Sequence, residues 1–151
     1  MTIRKVTQND TDRIGEIAEA SDLFPADYLP DMIAPAFIGA PDHWLLSEDT
    51  GQIDGFAFAR PEEMADGVWN ILAIAVSENA RGNGVATRLL REMETSLDAR
   101  MIIIETTQLP EQLAARKLYQ KENYEEEGRV RDYYANGEDK VIFRKVISWA
   151  A

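Results

Sequence analysis

The chain has 151 residues, one domain's worth of polypeptide and long enough to bury a sizeable core. Its 16 Lys and Arg stand against 27 Asp and Glu, a net charge of −11 with His neutral, and so acidic a surface repels phosphate backbones and anionic lipid. With no Cys and one His, His43, the composition excludes disulfides, thiol nucleophiles, Cys/His zinc sites and any triad needing a second His.

Neither nucleic acid nor membrane is expected as a partner, and no metal is called for. The opening Met-Thr-Ile-Arg-Lys-Val has no apolar signal stretch, and no apolar run approaches the roughly 18 residues of a membrane helix. A single cytoplasmic domain over residues 1–151 is the expectation.

In chain order, Thr2 to Val6 predicts a short strand, and Asn9 to Asp12 supply N-cap candidates for a helix that sets Ile14, Ile17 and Ala18 on one face. From Leu23 to Pro41, four prolines interrupt an aromatic and aliphatic stretch, so any helix there is short or broken. His43 to Ser47 and Ile53 to Ala59 predict a hairpin about Glu48-Asp-Thr-Gly51. A polar loop, Pro61 to Gly67, leads into Val68 to Val76, a nearly continuous apolar run that suits a buried central strand.

Val85, Leu89, Leu90, Met93 and Leu97 then form the apolar stripe of a helix from Gly84 to Leu97, and Met101 to Thr106 is a further strand. Strand, glycine turn, helix, strand is a crossover that sets the two strands parallel. A helix from about Glu111 to Glu122 and two antiparallel strands, Tyr124 to Tyr133 and Lys140 to Ile147, complete the chain. The fold class is α/β, a mixed sheet in the order β-α-α-β-β-β-α-β-α-β-β.

The informative turn is Arg81-Gly-Asn-Gly84-Val-Ala86. Glycines at 82 and 84 let backbone N–H groups point inward, and the helix that starts beside them offers unpaired donors and a positive dipole end, a seat for a pyrophosphate. The same glycines could also do no more than make a tight strand-to-helix turn. A dinucleotide-binding loop is a third reading: Glu105, about 20 residues on, stands where a ribose-binding acid would. It lacks a third glycine, however, since Thr87 takes that place.

Arg81 to Ala86 after an apolar strand resembles the Arg/Gln-x-x-Gly-x-Gly/Ala motif of the GNAT superfamily of N-acetyltransferases. Gln112-Leu-Ala-Ala115-Arg-Lys-Leu118-Tyr119-Gln-Lys-Glu-Asn123-Tyr124 is similar to that family's Asn-x-x-Ala-x-x-Leu-Tyr-x-x-x-Gly-Phe signature. Two departures stand out: Gln112 for Asn lengthens the amide arm by a methylene, and Asn123 for Gly relies on the ability of Asn to adopt the left-handed conformation of a helix C-cap.

The resemblance implies acetyl-coenzyme A as co-substrate. It assigns the pyrophosphate to the backbone of Arg81, Gly82, Asn83, Gly84, Val85 and Ala86, with the Thr87 hydroxyl, and a contact with the cofactor arm to Gln112. The pantetheine arm would pair with main-chain groups at Leu72, Ile74 and Val76, whose side chains themselves read as core. Acetyl transfer to an amine needs a neutral amine, a stabilised tetrahedral oxyanion and a proton for the departing thiolate. Tyr119 is placed to donate that proton, as a phenol of pKa near 10, or else to pack under the sheet.

A general base is harder to place, because Asn70 stands on the central strand where several family members carry Glu, and an amide cannot accept a proton at neutral pH. Glu62, Glu63, Asp66 or Glu105 working through water, or no base at all, remain open. Phe24, Tyr28, Trp69, Tyr133 and Tyr134 could wall an acceptor pocket, with Asp132 or Glu105 holding a cation. His43 is given no catalytic role.

The implied activity is acetyl transfer to a primary amine of a small molecule or peptide. The alternatives are a non-catalytic acyl-coenzyme A binding module and an NAD-binding enzyme. Family members often pair as dimers, for which Ile147, Trp149 and the two alanines after it could serve.

Overall fold

The computed structural model describes residues 1–148, so Trp149 and the alanines suggested for pairing lie outside the described residues. Its elements are β1 (Thr2–Lys5), α1 (Thr11–Ala20), α2 (Leu29–Phe37), β2 (His43–Asp49), β3 (Gln52–Pro61), β4 (Val68–Val76), α3 (Val85–Ser96), β5 (Met101–Thr107), α4 (Leu113–Lys121), β6 (Glu125–Ala135) and β7 (Glu138–Val146). This is the expected order, and the seven strands pair as β1-β2-β3-β4-β5-β7-β6. Among the described residues no helix is long and apolar enough to cross a membrane.

Contacts divide the chain into two compact units that share β4. One comprises Met1–Pro61 with Leu72–Leu97, the other Glu62–Ile71 with the chain from Asp98 onward.

In the first unit, strand alternation sorts large and small side chains to opposite faces of β3. Phe56 and Phe58 join Trp44, Leu46 and the apolar stripes of α1 and α2, namely Ile14, Ile17, Leu29 and Ile33, in one buried core. Trp44 stacks on Phe58, its cross-strand partner, with ring centroids 4.0 Å apart. The other face carries Gly55, Ala57 and Ala59, and Val85 and Leu89 of α3 settle closely over Gly55. Thr7 and Asp10 cap the entry to α1 reciprocally, and Arg4 clamps Asp10 at 2.8 Å. The β2–β3 turn places Thr50 and Gly51 at φ of 50° and 80°, the left-handed pair that a two-residue hairpin requires. Pro30 falls in the first turn of α2, where its missing N–H costs no helical bond, and Pro35 sits inside a helix only nine residues long.

In the second unit, Val68–Ile71 of β4 pairs in parallel with Met101–Ile104 of β5, and β5 runs antiparallel to β7 and β7 to β6. Tyr119 of α4 packs edge-on against Phe143 at 5.6 Å and beside Tyr124 at 6.3 Å. The helix closes with Asn123 at φ 70° and the Tyr124 amide donating to the Tyr119 carbonyl at 2.9 Å, a left-handed cap of the kind expected of Asn.

Candidate functional site

The glycine turn lies in the first unit and is shaped by its backbone. Gly82 and Gly84 take φ of 81° and 79°, and a Cβ built on either would meet nothing within 4 Å, so the loop presents open space where side chains would otherwise stand. The loop ties to itself: Arg81 Nε donates to the Val76 carbonyl at 3.3 Å and Asn83 Nδ2 to the Ala80 carbonyl at 3.1 Å. Gly84 is the N-cap of α3 and no side chain caps the helix. The first helical bond runs from the Arg88 amide to the Gly84 carbonyl, leaving the amides of Val85, Ala86 and Thr87 without a helical acceptor at the positive end of the dipole. A diphosphate needs such converging donors and an unobstructed approach, and this loop fits it.

Gly55, which sequence reasoning passed over, sets the height of that helix end. A Cβ there would stand 2.9 Å from both the Ala75 carbonyl oxygen and Val85 Cγ1, so only glycine lets the start of α3 lie this close to the strands. A lone glycine inside an apolar strand pattern was the available signal.

β4 corrects one reading. Its last five residues alternate, with Ala73 and Ala75 buried while Leu72 is 46% exposed and Ile74 and Val76 are half-buried. Their side chains therefore do not read as core. Parallel pairing stops at Ile71, so the backbone groups of Leu72 to Val76 on that edge have no ladder partner in β5.

The second unit assembles side chains instead. Asn70, only 7% exposed, sits opposite Ile103, and Glu105 follows two residues on, on the same face of β5. The Glu62 amide donates to the Val68 carbonyl at 2.8 Å, which carries Glu62 back alongside β4. Asn70 Nδ2 consequently donates to Glu62 Oε1 and Glu105 Oε1, each at 3.1 Å. Lys140 of β7 forms an ion pair with Glu105 and lies 4.2 Å from the centre of the Tyr133 ring. Although burial opposes its charge, Glu105 holds the Lys140 ammonium above its ordinary pKa; burial and then Glu105 push the Tyr134 phenol up.

Glu62 and Glu105 are thus brought together, whereas Glu63 and Asp66 stand exposed in the loop. Asp132, suggested above as a cation holder, accepts the Gly137 amide at 2.8 Å through its carboxylate and so helps build the β6–β7 hairpin. Of the aromatics, Phe24 packs against the first unit's core, and Tyr28, Tyr133 and Tyr134 are exposed.

Tyr119 is 7% exposed, and its hydroxyl has no hydrogen-bond partner among the described residues. Burial pushes the phenol up to about 12, above the value near 10 assumed from sequence, so it is a weaker acid that stays protonated throughout the neutral range. Gln112 forms the N-cap of α4 without a side-chain capping bond. His43 Nε2 lies 3.0 Å from Ser96 Oγ, whose own proton goes to the Glu92 carbonyl at 2.7 Å, so the imidazole donates. Burial and nearby Lys5 lower its pKa, leaving a structural, neutral histidine.

Comparison with known proteins fits these features. Residues 12–124, which span both units, match the family model described as the acetyltransferase (GNAT) family. An N-acetyltransferase of Methanocaldococcus jannaschii is 26% identical over 149 residues, covering 96% of this chain and 91% of its own. Among solved structures, a ribosomal-protein-alanine N-acetyltransferase from Escherichia coli superposes with a TM-score of 0.84 at 21% identity, covering 99% of this chain and 96% of its own. An aminoglycoside 6′-N-acetyltransferase complexed with coenzyme A gives 0.83 at 17% identity, covering 100% and 99%. The dinucleotide reading is thereby set aside; it also wanted Glu105 for a ribose, a carboxylate already engaged by Asn70 and Lys140. The chain is a member of the acetyltransferase (GNAT) family, an N-acetyltransferase of that type.

Proposed function

We propose that this enzyme transfers the acetyl group of acetyl-coenzyme A directly onto a primary amine of a small molecule or a peptide. The observation that carries the reading is the uncapped start of α3, with three free amides beside two left-handed glycines. When bound, acetyl-coenzyme A supplies the activated acetyl thioester. The backbone of Arg81 to Ala86 and the Thr87 hydroxyl hold its diphosphate, and Gln112 is the candidate amide contact to the arm. The unladdered backbone at Leu72, Ile74 and Val76 accepts the amide-bearing arm as a further strand would be accepted, over an apolar floor of half-exposed side chains.

Tyr119 holds the proton for the departing sulfur. Its hydroxyl has no competing partner among the described residues and remains protonated up to about pH 12. With no cysteine in the chain, a thioester-linked enzyme intermediate has no residue to form on, which favours direct transfer. The mixture of acceptors among the structural neighbours, aminoglycosides and a ribosomal-protein alanine, supports an amine acceptor without choosing its kind.

The test is a thermal-shift titration with acetyl-coenzyme A, coenzyme A and NAD in parallel. At 100 times Kd, binding to the native state adds about 2.7 kcal/mol. Stabilisation by both coenzyme A species and none by NAD is expected; stabilisation by NAD alone would overturn the reading.

A further inference from the structure

Four carboxylates are candidates for taking the acceptor's proton, and the geometry separates them. Glu63 and Asp66 are exposed and stand outside the array around Asn70. Glu105 is held from two sides, by Asn70 Nδ2 and by the Lys140 ammonium. Glu62 shares the Asn70 amide but pairs with no cation among the described residues, and it is half-buried. Of the two carboxylates that share the Asn70 amide, Glu105 alone has an ion-pair partner among the described residues.

The amide itself supplies an independent sign of a missing partner. Both neighbours of Asn70 are hydrogen-bond acceptors, so its NH2 must face them and the orientation of the side chain is fixed. Its carbonyl oxygen, on the same planar group, is then buried without any donor in a residue 93% removed from solvent. Buried acceptors are ordinarily satisfied, and what fits between a bare acceptor and the Glu62 carboxylate is an N–H-bearing cation.

We propose that Glu62 receives the acceptor's ammonium group and takes its proton, with Asn70 as the positioning residue that aims it and the Glu105–Lys140 pair as the fixed end of the array. The assignment rests on the acetyl-transfer reading and narrows it to an acceptor that arrives as a primary ammonium. One N–H bond of the ammonium breaks, its proton passes to a Glu62 carboxylate oxygen, and the electron pair stays on nitrogen as the nucleophile. The Asn70 carbonyl accepts a remaining N–H, and Glu62 releases its proton to water. The charged and titratable groups on this side of the array include Glu105, Lys140, Tyr133 and Tyr134, with Glu138 near Tyr134 and Arg144 opposite Ile103 on β7.

Two measurements test it. The first is the pH dependence of kcat/KM with acetyl-coenzyme A and either n-propylamine or an alanine-terminated peptide, for wild type, Glu62→Gln, Glu105→Gln, Glu63→Gln and Asp66→Asn. Wild type should reach its plateau well below the amine's own pKa. Glu62→Gln should lose about 100-fold near pH 7 and recover as pH climbs toward that pKa, while Glu63→Gln and Asp66→Asn follow wild type. Asn70→Ala, or Asn70→Ser should the first not fold, should displace the acid limb of the profile. If Glu105→Gln shows the alkaline recovery and Glu62→Gln keeps the plateau, the assignment is overturned.

The second measurement needs no turnover: carboxyl carbon resonances followed by NMR during titration with n-propylammonium chloride against sodium chloride. Glu62 should move selectively. A shift no larger than those of Glu63 and Asp66 refutes the assignment, even where coenzyme A still stabilises the protein. Conversely, loss of every coenzyme A shift would sink the acetyl-transfer reading and leave the NMR result to judge Glu62 alone.

Discussion

The two units build their functional surfaces from different material. In the first, the proposed diphosphate seat is almost wholly main chain: two left-handed glycines, three orphan amides and a helix dipole. In the second, the polar array is side chain throughout, with Glu62, Asn70, Glu105 and Lys140 contributed by four separate stretches and joined through strand register. A main-chain site tolerates exchange of most side chains but fails when a glycine gains a Cβ; a side-chain array does the reverse. Substitutions can therefore test the contrast.

The largest effect should come from the chemistry. Tyr119→Phe keeps the ring packing against Phe143 and removes only the hydroxyl, so turnover should fall about 10²–10⁴-fold while coenzyme A binding persists. The same variant reads out in stability. The folded phenol, at about 12, lies above its unfolded value near 10, so the folded state retains a proton that the unfolded chain gives up. Its contribution is complete below pH 10 and is lost as pH rises toward 12, on the order of 2–3 kcal/mol. Urea melts at pH 8 and 11 should show the alkaline loss in wild type and a smaller one in Tyr119→Phe.

Next, Gly84→Glu puts a bulky acid at a left-handed position facing the diphosphate seat, and calorimetry should record about 100-fold weaker coenzyme A binding, ~2.7 kcal/mol. Unchanged binding would break the main-chain account of the loop. Gly55→Val touches neither site directly. It must push against the Ala75 carbonyl and Val85, and thermal melts should show it less stable by about 1–3 kcal/mol.

Smallest is an effect at residues that belong to neither the loop nor the array. The Arg4 guanidinium, followed by the Thr7 amide and hydroxyl, holds the buried Asp10 carboxyl down at about 2. That contribution is present above pH 4 and lost as pH falls through 2, so Asp10→Asn should cost on the order of 1–2 kcal/mol at neutral pH and flatten the acid limb of stability.

The same contrast explains what the sequence made legible. Periodicity placed the elements, and glycines at 82 and 84 marked the loop, because a backbone site must show itself as residues that permit unusual backbone. The Asn70 array left no such trace. Lys140 meets Glu105 only because β5 and β7 pair with Thr107 opposite Lys140, a register that no spacing along the chain reveals. The apolar run of β4 was equally opaque: strands covered on both faces and strands with one face left open for a ligand are written in the same aliphatic residues, so the exposure of Leu72 could not be foreseen. Asn123 was readable, since few residues other than glycine enter the left-handed cap it occupies.

β6 has a bearing on solubility. Among the described residues it pairs only with β7, so this eleven-residue strand presents an outer edge, the kind onto which foreign strands add and aggregation begins. Its first half meets a newcomer with Glu125, Glu126 and Glu127, and between Val130 and Ala135 the ladder breaks, with Asp132 turned to φ 54°. Charge guards one end and a kink the other, so no uninterrupted row of donors and acceptors is offered for templated growth.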